Sequence, residues 1–342
     1  MPIRTFVTSA GRALEFTTLG FGSGPLGNFL RAFDERDCDA TLTAAWDSGL
    51  RYFDTAPFYG LGLSETRVGR VLRQHPRDQY LLSSKVGRLL EPCKEGEQNV
   101  DMFVDTPPVR AVYDYSYDGV MRSFEESLKR LGLERIDILY VHDIDGLVHG
   151  GRAASEAIIR ELFETGGWRA LDELRSSGVV SAIGAGVNEW QPCVRLLELA
   201  DPDLFLLAGR YTLLEQDPID EFFPKCAERG ARVVIGGPYN SGVLAGKSTY
   251  DYGTIPAHVA ARVHELDLVC GEHGVALREA ALQFVAAHPL VVSVIPGAVT
   301  PAEVAENVAI MEKDIPGELW HALKEKGLLH VNANTAFPGS AP

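Results

Sequence analysis

Residues 20–27 read GFGSGPLG and contain Gly22-Ser23-Gly24-Pro25-Leu26-Gly27, a literal G-x-G-x-x-G. That pattern is the dinucleotide fingerprint of an open, doubly wound sheet. It works there because a helix begins among the glycines and its first N–H groups meet the pyrophosphate. Here the next convincing helical run starts near Asp37, well past Gly27. The motif matches by letter and not by context. Its glycines are expected instead to let the loop after a first strand, Phe16–Gly20, turn tightly.

The rest of the chain alternates. Short apolar runs follow at Leu50–Asp54, Tyr80–Ser84, Ile136–Val141, Val180–Gly184, Leu204–Leu207, Arg232–Ile235 and Val291–Ile295. Such runs suit strands buried on both faces. Helical runs lie between or after them, at Asp37–Ser48, Ser64–Arg73, Ser116–Leu131, Trp168–Ser177, Pro192–Ala200, Ile219–Glu228, Pro256–Glu272, Leu277–Ala287 and Ala302–Lys313. Ser64 and Ser116 read as N-caps, and Gly132 as a helix stop. Thr5–Thr8 and Ala13–Thr17 flank a turn and predict an N-terminal β-hairpin. Eight βα units in 342 residues predict a (β/α)8 TIM barrel with long loops on its C-terminal face. The alternative is the open doubly wound sheet. No low-complexity linker divides the chain, so residues 1–342 read as one domain. Val86–Tyr115, with Pro92, Pro107 and Pro108, is too long for a plain connector and reads as a lid or binding loop. Asp143–Gly166 and the tail His330–Pro342 read as further specificity loops.

Composition narrows the function. The formal net charge of −15 repels phosphate backbones and anionic lipid surfaces, which argues against nucleic acid and membrane as partners. Cys38, Cys93, Cys193, Cys226 and Cys270 are odd in number and form no C-x-x-C, as expected of free thiols in a reducing cytoplasm. The N-terminus lacks the pattern of a signal peptide, and no metal-ligand spacing stands out.

A barrel keeps its active site at the C-terminal ends of its strands. Strand two ends in Asp54, followed by Thr55-Ala56-Pro57-Phe58-Tyr59-Gly60. Strand three ends in Ser83-Ser84-Lys85, and strand four in Val141-His142-Asp143. Singly, an Asp there is a cap, a Lys a solvated charge, a His or Tyr a packed ring. Delivered together to one face, they form a set with a purpose. A phenol has a reference pKa of roughly 10, too high for proton transfer at neutral pH. A neighbouring lysine is expected to pull it down, and a carboxylate keeps that lysine charged. An imidazole can hold the reacting oxygen. The set moves a proton at a carbonyl or hydroxyl and offers no hydride, so a redox cofactor is implied.

At this point the sequence resembles the aldo-keto reductases, through DTAPFYGLGLSETRVGRVL (54–72), the strand ending at Lys85, and IDILYVHDID (136–145). The resemblance runs from the hairpin to Met311. It implies Tyr59 as general acid/base, Lys85 and Asp54 as its tuning pair, and His142 as the group orienting substrate. It also implies a nicotinamide cofactor across the barrel mouth. The residues it assigns to that cofactor are Gly22, Ser23, Asn188, Pro238, Ser241, Gly242, Pro296, Gly297, Glu303, Glu306 and Asn307. Common NADP-dependent members carry Lys, Ser and Arg where this chain has Gly297, Ala298 and Glu303. Glu303 would repel a 2′-phosphate and suits a free ribose hydroxyl, so NAD is expected over NADP. The chain also departs from the family at Val187, at Ala208 and near Gly236, where a Ser, a Gln and a stacking aromatic are usual.

The stretches FLLAGRYTLLEQ (205–216) and VIGGPYNSGVLAG (234–246) resemble a branch that oxidises sugars at C1. Its members are L-fucose, or D-threo-aldose, 1-dehydrogenases, with L-galactose dehydrogenases nearby and pyridoxal 4-dehydrogenase similar. The resemblance therefore implies oxidation of an aldose of the L-fucose, D-arabinose or L-galactose type to its lactone. Pyridoxal oxidation, NADPH-dependent aldehyde reduction and a non-catalytic cofactor-sensing role are the alternatives. The partners expected are a small-molecule sugar or aldehyde and, in a homo-oligomer, further copies of the chain.

Overall fold

A computed structural model describes residues 1–100, 102–251 and 253–336. The N-terminal hairpin pairs β1 (Ile3–Val7) with β2 (Ala13–Thr17), antiparallel, Phe6 opposite Leu14. It plugs the bottom of a barrel. Phe6, Leu14 and Phe16 pack into an interior formed by Tyr52, Ile138, Tyr140, Leu204, Leu206, Val234 and Val292. The Phe16 and Tyr52 rings meet edge to face at 5.0 Å. The remaining core lies outside the strands, under the helices, as two layers around a closed sheet require.

The barrel strands are β3 (Phe21–Gly22), β4 (Tyr52–Asp54), β5 (Leu81–Val86), β8 (Ile138–His142), β9 (Ala182–Val187), β10 (Leu204–Ala208), β11 (Arg232–Gly236) and β12 (Val291–Ile295). They run parallel in chain order as one eight-stranded sheet. Parallel bridges from Leu19 to Val294 and from Gly22 to Gly297 join its two edges. The closed barrel replaces the open-sheet alternative.

The first strand falls later than Phe16–Gly20. Phe16 belongs to the hairpin, where its ring is needed as the plug, so the barrel strand begins only beyond Thr18. Val86–Tyr115 holds a two-stranded antiparallel ribbon, β6 (Arg88–Pro92) and β7 (Val109–Tyr113). Between the two strands, Phe103 packs on Phe29 and Phe58.

The helices are α1 (Glu35–Asp47), α2 (Leu63–Leu72), α3 (Tyr117–Leu131), α4 (Gly146–His149), α5 (Arg152–Glu164), α6 (Gly167–Ser176), α7 (Gln191–Leu199), α8 (Phe222–Arg229), α9 (Ala257–Glu272), α10 (Leu277–Ala287), α11 (Pro301–Met311) and α12 (Gly317–Glu325). Ser116 caps α3 through Gly119 N (3.1 Å), and Gly132 ends it in the left-handed region, as its sequence predicts. Ser64 is not a cap. It lies inside α2, and its hydroxyl reaches inward to Ser23 O (3.0 Å). The Asp143–Gly166 segment, expected as a loop, contains α4 and α5. Only Ser155, Ile159 and Leu162 of α5 are buried, a stripe too narrow to stand out in the sequence. Ahead of the tail, α12 buries Leu319, Trp320 and Leu323. The expected tail loop extends into 337–342, which lie outside the described residues.

Candidate active site

The β4–α2 connection carries Tyr59 through three successive left-handed residues, Gly60 (φ 66°), Leu61 (51°) and Gly62 (94°). Glycine adopts two of the three positions at no steric cost, and Leu61 alone carries the left-handed strain. The loop lies on the opening motif: a Cβ on Gly27 would come within 2.5 Å of Gly60 N. The glycine-rich stretch is thus a close-packing surface for the Tyr59 loop, formed as a short 3-10 turn at Gly24–Gly27.

Below Tyr59 sits a buried ion pair. Lys85 Nζ donates to Asp54 Oδ2 (2.8 Å) and to Thr55 O (2.9 Å). Asp54 Oδ1 accepts from Ser83 Oγ (2.6 Å), which is within 2.9 Å of the Tyr52 hydroxyl. Both partners are almost fully enclosed, Lys85 at 1% and Asp54 at 2% exposure. The lysine stem passes β9 at Gly186, where a Cβ would stand 3.2 Å from Lys85 Cε. Lys85 Nζ lies 4.5 Å from the centroid of the Tyr59 ring. The His142 ring meets Tyr59 edge-on, at 5.8 Å and 86°. The four side chains from three strand ends and one loop form one cluster, as the sequence predicts.

Electrostatics correct one expectation. Burial pushes the Tyr59 phenol up, and Lys85 pulls it back only in part, so its pKa lies above the ordinary value. Burial also opposes the Lys85 charge, but Asp54 and Tyr59 outweigh it and hold the ammonium protonated. Burial, then the charges of Lys85 and Arg88, push His142 well below the usual histidine range, so its ring is neutral.

Sequence reasoning missed Arg88 and the role open to Asp143. Arg88 forms a buried ion pair with Asp143 Oδ2. Its guanidinium stacks on Phe58 at 3.8 Å and Tyr113 at 4.7 Å, beside a small cavity that Asn99 and Ala111 also line. The available signal was a carboxylate directly after His142 and an arginine three residues after Lys85.

The cofactor candidates fall into groups. Gly22 and Gly297 meet at the barrel seam, from opposite ends of the chain. A Cβ on Gly297 would strike Pro25 Cγ at 2.6 Å, so this rim is closed to a larger side chain unless Pro25 shifts. Pro296 is buried behind it. Ser23 is not turned to the mouth: its hydroxyl bonds Asp54 O (2.6 Å) and Ser64 Oγ (2.7 Å). Asn188 N donates to Asp145 Oδ2 (2.9 Å), and its amide to Asp143 Oδ1 (3.4 Å). Pro238, Ser241 and Gly242 belong to a loop in which Asn240, Ser241 and Gly242 are all left-handed. Asn240 Oδ1 is buried there without a partner. An orphaned acceptor in a strained loop suits a ligand donor.

The charged candidates are already paired. Glu303 Oε2 accepts from Val299 N (2.8 Å), and Oε1 lies 3.6 Å from Lys247 Nζ. Glu306 is bidentate with Arg278 (2.9 and 2.7 Å). Asn307 Oδ1 accepts from the Tyr239 hydroxyl (2.7 Å), which ties Tyr239 to α11. Arg210 is held by Asp251 (2.9 and 3.0 Å). Among the described residues no cluster of metal-ligating side chains occurs, and no helix is long and apolar enough to cross a membrane.

Comparison with known proteins agrees with this geometry. Pyridoxal 4-dehydrogenase of Microbacterium luteolum is 43% identical over 333 residues, covering 92% of this chain and 95% of that protein. D-threo-aldose 1-dehydrogenase of a Pseudomonas species is 38% identical, with 94% and 97% covered. L-galactose dehydrogenase of Arabidopsis thaliana is 28% identical, with 95% and 94% covered. The holo form of aldo-keto reductase AKR11C1 from Bacillus halodurans superposes with a TM-score of 0.74 at 25% identity, covering 98% of each chain. Aldo/keto reductases are oxidoreductases that use nicotinamide cofactors. The family pattern matches residues 18–327, and the chain belongs to the aldo/keto reductase family.

Proposed function

We propose that this enzyme is an NAD-dependent dehydrogenase that oxidises the C1 hydroxyl of a cyclic aldose to the lactone, with sugars of the L-fucose, D-arabinose or L-galactose type as substrates. One observation carries the reading: Lys85, ion-paired to Asp54 at 2.8 Å, lies 4.5 Å from the Tyr59 ring, which His142 faces edge-on. In this reading residues 1–342 act as one barrel domain. The free cysteines agree with work in the cytoplasm.

Tyr59 takes the proton of the C1 hydroxyl as the C1–H bond breaks. When bound, the nicotinamide supplies the hydride acceptor. Lys85 stabilises the phenolate against burial, and Asp54 keeps Lys85 charged and aimed. Neutral His142 hydrogen-bonds the reacting oxygen without competing for its proton. Both cations beside the chemistry, Lys85 and Arg88, are matched by carboxylates, which favours an uncharged substrate over a phosphorylated one.

Gly22, Asn188, Pro238, Ser241, Gly242, Pro296, Gly297, Glu303, Glu306 and Asn307 would hold the cofactor, with Ser23 acting through the backbone of its loop. NAD is favoured over NADP by the carboxylate of Glu303 and by the pairing of Lys247, Arg210 and Arg278 with acids. A second reading, oxidation of pyridoxal in its hemiacetal form, is favoured by the 43% identity to a pyridoxal 4-dehydrogenase. It uses the same proton step. NADH formation from L-fucose, D-arabinose, L-galactose and pyridoxal, with NAD and NADP in parallel, decides between them. Turnover of aldehydes with NADPH alone would overturn both.

A further inference from the structure

Arg88 and Asp143 have no part in the proton step, yet both are buried within reach of it. Asp143 follows His142 in the left-handed region (φ 51°), with its N–H held by Gly186 O at 2.9 Å. That turn brings its carboxylate back against the site. Oδ2 pairs with Arg88 Nη2 and lies 3.4 Å from His142 Nε2. Oδ1 accepts from Asn188 Nδ2 at 3.4 Å. Side-chain exposure is 7% for Arg88, 8% for Asp143 and 6% for His142. A left-handed non-glycine residue at a buried charge pair marks a geometry that the surroundings enforce.

The imidazole is placed unevenly. His142 Nδ1 is buried with no hydrogen-bond partner. Nε2 has a carboxylate beside it. A neutral ring carries one proton, and which nitrogen holds it follows from what each nitrogen faces. The carboxylate's field favours the proton on Nε2, and at 3.4 Å the two make a charge contact rather than an aligned hydrogen bond, which leaves that N–H open to a substrate oxygen. A buried N–H at Nδ1 would be an orphaned donor, which folded proteins avoid more strictly than an orphaned lone pair. Turning the ring over would set Cε1, not a nitrogen, against Asp143.

Arg88 answers a second need. A lone buried carboxylate 3.4 Å from the ring would favour the imidazolium. The guanidinium opposes that field, its charge acting to lower the His142 pKa. The charged groups facing the ring are Lys85 from β5, Arg88 from β6 and Asp143. The Tyr59 phenol faces it edge-on. Tyr115 bonds the backbone carbonyls of His142 and Asp143, and His149 Nε2 the Asp143 carbonyl, so neither holds the imidazole.

We propose that Arg88 and Asp143 form a positioning pair that fixes His142 as the neutral Nε2–H tautomer, a hydrogen-bond donor to the reacting oxygen. The catalytic consequence rests on the dehydrogenase reading, whereas the tautomer is a property of the free protein. Nitrogen-15 NMR of the histidine-labelled full chain reads it directly, with the His142 signals assigned by their loss in His142→Asn. The wild type should show a protonated Nε2 and a bare Nδ1 from pH 6 to 9. Asp143→Asn should move the signals toward a tautomer mixture and lower kcat for oxidation at least tenfold, with nicotinamide affinity within twofold of wild type. Arg88→Met should raise the His142 pKa by a unit or more, and Arg88→Lys should restore it. A proton on Nδ1 in the wild type, or an unchanged His142 spectrum in Asp143→Asn, overturns the proposal. The wild-type spectrum decides even if a variant fails to fold. Absence of turnover with every substrate, with the tautomer as expected, would overturn the dehydrogenase reading alone.

Discussion

Gly27 and Gly60 pack backbone against backbone: a Cβ on Gly60 would stand 2.2 Å from the Gly27 carbonyl oxygen. The contact ties the loop after β3 to the residue that follows Tyr59. It also assigns the last glycine of the opening motif a steric task. Gly60 carries a second constraint, its left-handed φ of 66°. Gly60→Ala should therefore destabilise the protein by about 2 kcal/mol or more, through left-handed strain and overpacking together. Gly24→Ala is the contrast, since its Cβ would meet nothing nearer than the Tyr59 ring, at 3.7 Å. Thermal unfolding of the two variants should separate them by several degrees, with Gly24→Ala close to wild type. Equal melting temperatures would contradict the packing account.

Tyr59→Phe should remove turnover and spare cofactor binding. The substitution deletes one oxygen and keeps the ring that packs near Phe103 and Lys85. A positioned acid/base contributes on the order of 10²–10⁴-fold, so kcat should fall by at least that much. Fluorescence titration with NAD should give a dissociation constant within threefold of wild type. Activity above a tenth of wild type would rule out Tyr59 as the proton carrier.

The barrel was legible because its strands are buried on both faces and read as apolar runs separated by helices. The convergence of Asp54, Lys85 and His142 was legible because strand ends are fixed positions in such a fold. What escaped had weaker or misleading local signals. Phe16 reads equally well as hairpin or barrel strand, and only the plug of the barrel floor assigns it. The α5 stripe is three residues wide. Ser64 has the right chemistry for a cap, but Gly62 takes that place, and three hydroxyls, from Ser23, Thr55 and Ser64, bond one another instead. The Tyr59 pKa departs from the sequence expectation for a physical reason. Sequence names the neighbouring Lys85, but the depth of burial that outweighs it is a property of the packed site.

The pH dependence of oxidation follows from that correction. In the proposed oxidation the active form of Tyr59 is the phenolate, and its pKa lies above the ordinary tyrosine value of about 10. Below the pKa, the phenolate fraction rises tenfold per pH unit. With chemistry rate-limiting, kcat/KM for oxidation should climb with a slope near one and show no plateau below about pH 10. Neutral His142 adds no ionisation near pH 6.5. Lys85→Met removes the charge that opposes burial, so its profile should move to still higher pH and its rate at pH 8 should fall at least 100-fold. A plateau by pH 8 in the wild type would contradict the assignment.

The proposed preference for NAD turns on a carboxylate with two tasks. Glu303 Oε2 accepts from Val299 N, which shapes the turn into α11, while Oε1 faces Lys247. Glu303→Gln keeps an oxygen for Val299 and removes the charge that would repel a 2′-phosphate. It also releases Lys247. An exposed charge change of this kind is worth about 1 kcal/mol, which corresponds to several-fold in affinity. NADP should therefore bind about five- to tenfold more tightly to Glu303→Gln than to the wild type, with NAD changed less than threefold. Adding Lys247→Met should cancel part of the gain, because the released lysine supplies part of it. Placing Lys at Gly297 should not convert the enzyme, since its Cβ would meet Pro25 Cγ at 2.6 Å before the ammonium could reach a phosphate. Titration of the three variants with both dinucleotides checks each step, and wild-type binding tighter for NADP than for NAD would overturn the selectivity argument.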